Sequence, residues 1–225
     1  MSEKILMIET STECCSVALS DGAQIVAARI NETPRQHASQ LAPYIREVLQ
    51  EAGLTAGDLD AVAVSEGPGS YTGLRVGVST AKGLCFGAGK PLLGIDTLQI
   101  LAGQAEGGFD RIVAMIDARR MEVYAAPFDR YGNKLDETRA VILDDDSFRQ
   151  ELEEGTILFI GTGTEKFRRI CPHPNATFRE CYPLATAMVR PALAALQKKE
   201  FKDVAYFEPF YLKDFVAGIS RKSIL

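Results

Sequence analysis

The chain has 225 residues, 46% of them hydrophobic, enough for one large domain or two small ones with a real core. A net charge of −5 and a pI near 5.2 exclude a protein that binds nucleic acid on its own through a broad basic surface. Basic pairs such as Arg119-Arg120, Arg168-Arg169, Lys198-Lys199 and Arg221-Lys222 read as solvated surface that could at most assist a partner. Five cysteines, with no C-x-x-C, indicate neither a zinc ribbon nor a redox motif, and Cys14 and Cys85 sit in apolar patterns as buried thiols. The apolar stretch after Lys4 is too short for a signal peptide, and no run approaches a membrane span. A reducing, cytoplasmic setting is expected.

Lys4 to Thr10 reads as a strand ending in Glu9-Thr10-Ser11-Thr12-Glu13. Cys14 to Ser20 and Gln24 to Ile30, joined by the Asp21-Gly22 turn, complete an antiparallel meander. After a polar stretch containing Pro34, one helical face runs through Leu41, Tyr44, Ile45, Val48, Leu49 and Ala52, with Gly53 suited to its end. Pro43 is expected in its first turn or at a kink. Ala61 to Val64 is a short apolar strand, followed by the loop Ser65 to Ser70. Ser70 then caps a helix whose apolar positions are Leu74, Val78, Ala81 and Cys85.

Gly73 and Gly77 share a second face of that helix. Each costs roughly 1 kcal/mol against Ala in a helix interior, so close approach of another backbone is implied. That backbone belongs either to the chain's own sheet or to a partner helix. The loop before it reads G-x-G-x-x-x-G, too long for the dinucleotide fingerprint, and no Lys-Ser/Thr pair follows to make a P-loop.

Lys90 to Ile95 is another strand, and Asp96-Thr97 starts a helix to about Ala105. Past Gly107-Gly108 the pattern restarts: strands Ile112 to Ile116, closed by Asp117, then Glu122 to Phe128 and Arg139 to Leu143. A short helix beginning at Asp144-Asp145-Asp146 runs through Glu153, then come a strand, Thr156 to Ile160, and Gly161-Thr162-Gly163-Thr164. A last helix covers about Leu184 to Lys199, interrupted near Pro191. The order β-β-β-α-β-α thus occurs twice, the second copy looking less complete. It suggests an α/β protein of the actin-like ATPase (ASKHA) fold, with lobes at residues 1–106 and 107–200. Residues 201–225 would be a tail packing back on the first lobe. By fold analogy, nucleotide elements would fall at Thr10 to Cys14, Asp117 to Arg120, and Gly161 to Thr164.

Four stretches carry a family resemblance: Ile8-Glu9-Thr10-Ser11, Gly67-Pro68-Gly69-Ser70-Tyr71-Thr72-Gly73-Leu74-Arg75-Val76-Gly77, Asp117-Ala118-Arg119-Arg120 with Glu122-Val123-Tyr124, and Pro209-Phe210-Tyr211-Leu212-Lys213. Together they resemble the TsaB family over nearly the whole chain. The resemblance implies a role in making N6-threonylcarbamoyladenosine in tRNA, next to the anticodon. It implies a non-catalytic subunit that pairs through its N-terminal lobe with the transferase subunit TsaD. A TsaE-like ATPase would dock on the pair, tRNA would be met through the complex, and a separate enzyme would supply threonylcarbamoyl-adenylate.

TsaD-like proteins bind metal through an H-x-x-x-H helix. Here the aligned positions are Thr97 and Leu101, and Leu101 cannot ligate, so no metal site is expected. The only histidines, His37 and His173, lie in different halves. Glu9, Thr10, Ser11, Asp117, Gly161 and Gly163 remain as a possible vestigial nucleotide site, with Glu9 and Asp117 as an acid pair across the cleft. Arg119-Arg120 stand where glycines would let backbone amides reach a phosphate, so weak nucleotide binding at most is expected and no cofactor. On the partner reading, Leu41, Tyr71, Gly73, Leu74 and Gly77 form the docking face, Gly77→Leu folds but loses TsaD, and the chain self-associates when alone. The alternatives are an autonomous actin-like kinase or ATPase and, weakened by the missing histidine pair, a metalloprotease.

Overall fold

The computed structural model describes residues 2–33 and 36–213. Pro34, Arg35 and the tail from 214 to 225, with its Arg221-Lys222 pair, lie outside the described residues. Strands β1 (Lys4–Glu9), β2 (Cys15–Asp21) and β3 (Gln24–Asn31) form the meander, followed by α1 (His37–Glu51), β4 (Ala61–Gly67), α2 (Tyr71–Ala88), β5 (Leu92–Asp96) and α3 (Thr97–Ala102). The second series is β6 (Arg111–Asp117), β7 (Glu122–Asp129), β8 (Arg139–Ile142), α4 (Arg149–Glu154), β9 (Ile157–Ile160), α5 (Thr164–Arg168), β10 (Ala176–Arg179) and α6 (Val189–Lys198).

Each series builds one five-stranded sheet, in the orders β3-β2-β1-β4-β5 and β8-β7-β6-β9-β10. In both, the first three strands are antiparallel and the last two join in parallel. The second copy is therefore complete. Its α5 and β10 are five and four residues long, too short to show a period in sequence.

Alternation along the central strands divides the core. Leu6, Ile8, Val62 and Val64 face α1 and α2, where Leu41, Ile45, Val48, Val78, Ala81 and Cys85 meet them. Ile5, Met7, Ala61 and Ala63 face the other way, against Ala185, Met188, Ala192 and Ala195. The second sheet is covered on one face by Leu98, Leu101 and Ala102 of α3. Phe148, Phe159, Phe167 and Phe178 form an aromatic cluster on its other face, with ring centroids 4.9–5.8 Å apart. The lobes thus exchange their closing helices: α3 follows the first sheet and covers the second, while α6 follows the second and covers the first. A cut at residue 107 separates the sheets but not the helices.

Several boundaries differ from expectation. Asp144 to Ser147 form a turn held by Ser147 hydroxyl and Asp144 carboxylate bonds, and α4 starts only at Arg149. The last helix breaks at Val189, after a 3-10 turn over Ala185–Met188, and Pro191 sits harmlessly in the first turn of α6. Pro43 lies in the interior of α1, which begins at His37. Ser70 caps α2 as expected, its hydroxyl accepting from Gly73 N at 3.3 Å. Residues 202–210 run along the first lobe: Lys202 N donates to Leu92 O, Phe210 N to Glu66 O, and Lys82 Nζ to the carbonyls of Ala205 and Phe207. Among the described residues no helix is long and apolar enough to cross a membrane.

Candidate functional site

A cleft of about 1660 Å³ opens between the lobes, lined by the β1–β2 loop, the β4–α2 loop, the β6–β7 hairpin and residues 210–213. Of the six nucleotide-site candidates, only Ser11 and Asp117 line it. Glu9 is fully buried at the end of β1, where its Oε1 accepts from Ser11 N at 2.5 Å and its Oε2 has no partner among the described residues. Desolvation pushes this carboxyl up to about 7, only partly opposed by the Ser11 and Ser65 groups around it. Thr10 is buried too, its hydroxyl donating to Gly73 O at 2.8 Å. Gly161 and Gly163 let this turn pass close to Met115 and Val123 and do not face the cleft. The expected acid pair across the cleft is therefore not formed.

Asp117 is exposed, but its charge is already met. Its Oδ1 accepts from Arg119 N at 2.6 Å and from Lys166 Nζ at 2.9 Å. The Lys166 ammonium also donates to the carbonyls of Arg120, at 2.7 Å, and Glu122, at 2.9 Å. All three ammonium protons are thus spent inside the β6–β7 hairpin. A side chain of α5 thus neutralises Asp117 and ties the hairpin together. Sequence reading missed Lys166 because α5 carries no period and the contact joins residues far apart in the chain.

The glycine stripe belongs to the chain's own sheet. A β-carbon at Gly73 would stand under 3.0 Å from the Thr10 carbonyl oxygen, one at Gly77 equally close to the Thr10 hydroxyl, and one at Gly69 equally close to Ser11 O. The β4–α2 loop and the start of α2 clamp the β1–β2 loop, and Ser70 N donates to Ser11 O at 2.6 Å. Leu41 and Leu74 are likewise buried in the core. Gly73, Gly77, Leu41 and Leu74 therefore do not form an exposed docking face. Tyr71 alone of the five is partly exposed, its ring tilted by 37° against that of Tyr211 with centroids 4.9 Å apart, and its hydroxyl accepting from Arg75 at 2.7 Å.

The open face of α2 carries a different glycine pair. Gly83 and Gly87 have nothing within 4 Å of a β-carbon position, and Phe86 beside them is 85% exposed. Thr80 and Leu84 on this helix, with Ile45, Leu49 and Leu54, line a shallow, mainly apolar groove between α1 and α2. His37 Nε2 lies 2.8 Å from Thr12 O, which can only accept, so it carries the proton and ties α1 to the β1–β2 loop. His173 Nδ1 accepts from Asn175 N within its own turn. Among the described residues no cluster of three His, Cys, Asp or Glu side chains could hold a metal. Burial pushes the Cys14 thiol up to about 12 and that of Cys85 up to about 11, so both are inert.

Two sheets of identical strand order, sharing helices around a central cleft, define the actin-like ATPase fold. The activator of the 2-hydroxyisocaproyl-CoA dehydratase from Clostridium difficile has the same architecture, with a TM-score of 0.50 at 10% identity over 89% of this chain and 98% of that one. A family model for TsaD, described as tRNA N6-adenosine threonylcarbamoyltransferase, matches residues 24–220. The tRNA threonylcarbamoyladenosine biosynthesis protein TsaB of Escherichia coli K12 is 34% identical, over 95% of this chain and 96% of its own. The Bacillus subtilis protein of the same name is 30% identical, over 93% of both. The solved structure of YeaZ from Pseudomonas aeruginosa superposes with a TM-score of 0.83 at 30% identity, covering 93% of this chain and all of that one. The chain belongs to the TsaB family of tRNA threonylcarbamoyladenosine biosynthesis proteins.

Proposed function

We propose that this chain is a non-catalytic, cytoplasmic subunit that pairs with a TsaD-like transferase and supports its modification of tRNA. The observation that carries the reading is Lys166: its ammonium already pairs with Asp117 and with two carbonyls of the β6–β7 hairpin, so Asp117 is not free to hold a cation beside a nucleotide. The buried Glu9 and the apolar α3, with Leu98 and Leu101 in the interlobe core, point the same way. No nucleotide is a resident ligand in this reading. The partner is met on the outer faces of α1 and α2, around Gly83, Leu84 and Phe86, where small residues permit close helix approach. When alone, the chain self-associates through the same face, and a TsaE-like ATPase joins the assembled pair.

Reconstitution tests the reading. Modification of tRNA by the transferase subunit should require this chain, while the chain alone should not hydrolyse ATP. Gly83→Glu, on an open surface, should leave the fold intact and abolish co-elution with the transferase subunit. Undiminished modification without the chain, or ATP hydrolysis by the chain alone, would sink the proposal.

A further inference from the structure

The tip of the β6–β7 hairpin carries two successive arginines in the left-handed region, Arg119 at φ 71° and Arg120 at φ 51°. Glycine would sit there without strain, and arginine does not. The strain is held by anchors on every side. Arg119 N donates to Asp117, Glu122 N to Arg119 O at 3.1 Å, and Lys166 bonds the Arg120 carbonyl. Lys166 is itself well buried, with 14% of its side chain exposed. The turn is therefore a rigid mount for two exposed guanidinium groups.

Among the described residues, local charge leaves those groups free. The hairpin's own acids are both taken, Asp117 by Lys166 and Glu122 by Lys213. Among the described residues neither Arg119 nor Arg120 makes an ion pair. Arg119 lines the cleft mouth, whereas Arg120 stands outside it. Two adjacent cations, one at the cleft and one beside it, suit an extended polyanion crossing the rim. Guanidinium forks match phosphate oxygens in pairs.

We propose that the Arg119-Arg120 turn contacts the phosphodiester backbone of the tRNA being modified. The inference rests on the subunit role above and extends it: the chain holds substrate RNA directly, by charge and without reading sequence. The acidic chain as a whole is not an RNA-binding surface, so the contact acts only when a partner supplies the rest of the footprint.

The test is fluorescence anisotropy of labelled tRNA titrated with the reconstituted complex at several salt concentrations. The variant Arg119→Gln/Arg120→Gln keeps a polar side chain and the backbone strain but removes both charges. It should weaken binding by about 5- to 20-fold at low salt and reduce the log–log salt slope by about 1–2, with co-elution of the transferase subunit unchanged. Arg119→Lys/Arg120→Lys should recover most of the affinity, and Arg149→Gln, on α4, should change nothing. Unaltered affinity and slope in the double Gln variant would overturn the proposal. So would loss of co-elution, which would make the turn a subunit contact, or loss of ATP binding with tRNA affinity intact, which would make it a nucleotide contact. If the wild-type chain does not join the transferase subunit at all, the subunit role fails first and this inference with it.

Discussion

Gly73 and Gly77 illustrate how a residue's neighbours decide its meaning. Both look inward at Thr10, so a side chain there collides with the protein itself. Gly73→Ala should lower the stability of the isolated chain by about 1–3 kcal/mol, and Gly77→Leu by more, in urea unfolding. Gly83→Ala, at an open helical position, should raise it by up to about 1 kcal/mol. Glu9 gives a pH dependence of definite sign. Its folded pKa of about 7 lies above the ordinary value of 4.5, because ionising it inside the core is costly. Its protonated form therefore contributes fully below pH 4.5, and the contribution is lost as pH rises through 7. The loss amounts to about 3 kcal/mol by the linkage relation. Glu9→Gln should flatten the stability profile and make the protein more stable than wild type above neutrality. A variant with the wild-type slope would show that Glu9 ionises freely.

At the scale of elements, the β6–β7 hairpin owes its shape to α5. Lys166→Met removes three charge-assisted bonds and leaves the Arg120 and Glu122 carbonyls and Asp117 with fewer partners. It should cost about 2–3 kcal/mol and speed amide exchange across residues 118–123. Both meanders, the capped α2 and the long apolar strands were legible because they are short continuous apolar runs between turn residues or follow a helical period. The five-residue α5 and four-residue β10 were not, since a period needs more residues than they have. At the candidate site, Asp117 and Ser11 could be foreseen on the cleft by fold analogy. The burial of Glu9 and the Lys166 anchor could not, because both depend on contacts between segments distant in sequence. The glycine stripe was visible, but spacing alone cannot say which backbone it approaches. That required knowing that α2 crosses the β1–β2 loop.

For the whole molecule, the exchange of α3 and α6 makes two lobes one cooperative unit. Met188, Ala192 and Ala195 are buried against Ile5, Met7 and Ala63, so a charge on α6 strikes the first sheet. Ala192→Asp should cost more than about 3 kcal/mol, since a carboxylate would be buried without a partner. Circular dichroism and probes placed in either lobe should report a single coincident transition for the wild-type chain. Two separated transitions would show that the shared helices do not couple the lobes.

The same exchange sets a timetable for synthesis. Strand β1 leaves the ribosome before the entire second lobe, and the helix that covers one of its faces only after it. The first sheet can form early but must wait, half covered, through the making of the entire second lobe. A nascent chain halted before residue 185 would present Ile5, Met7, Ala61 and Ala63 to solvent and to chaperones.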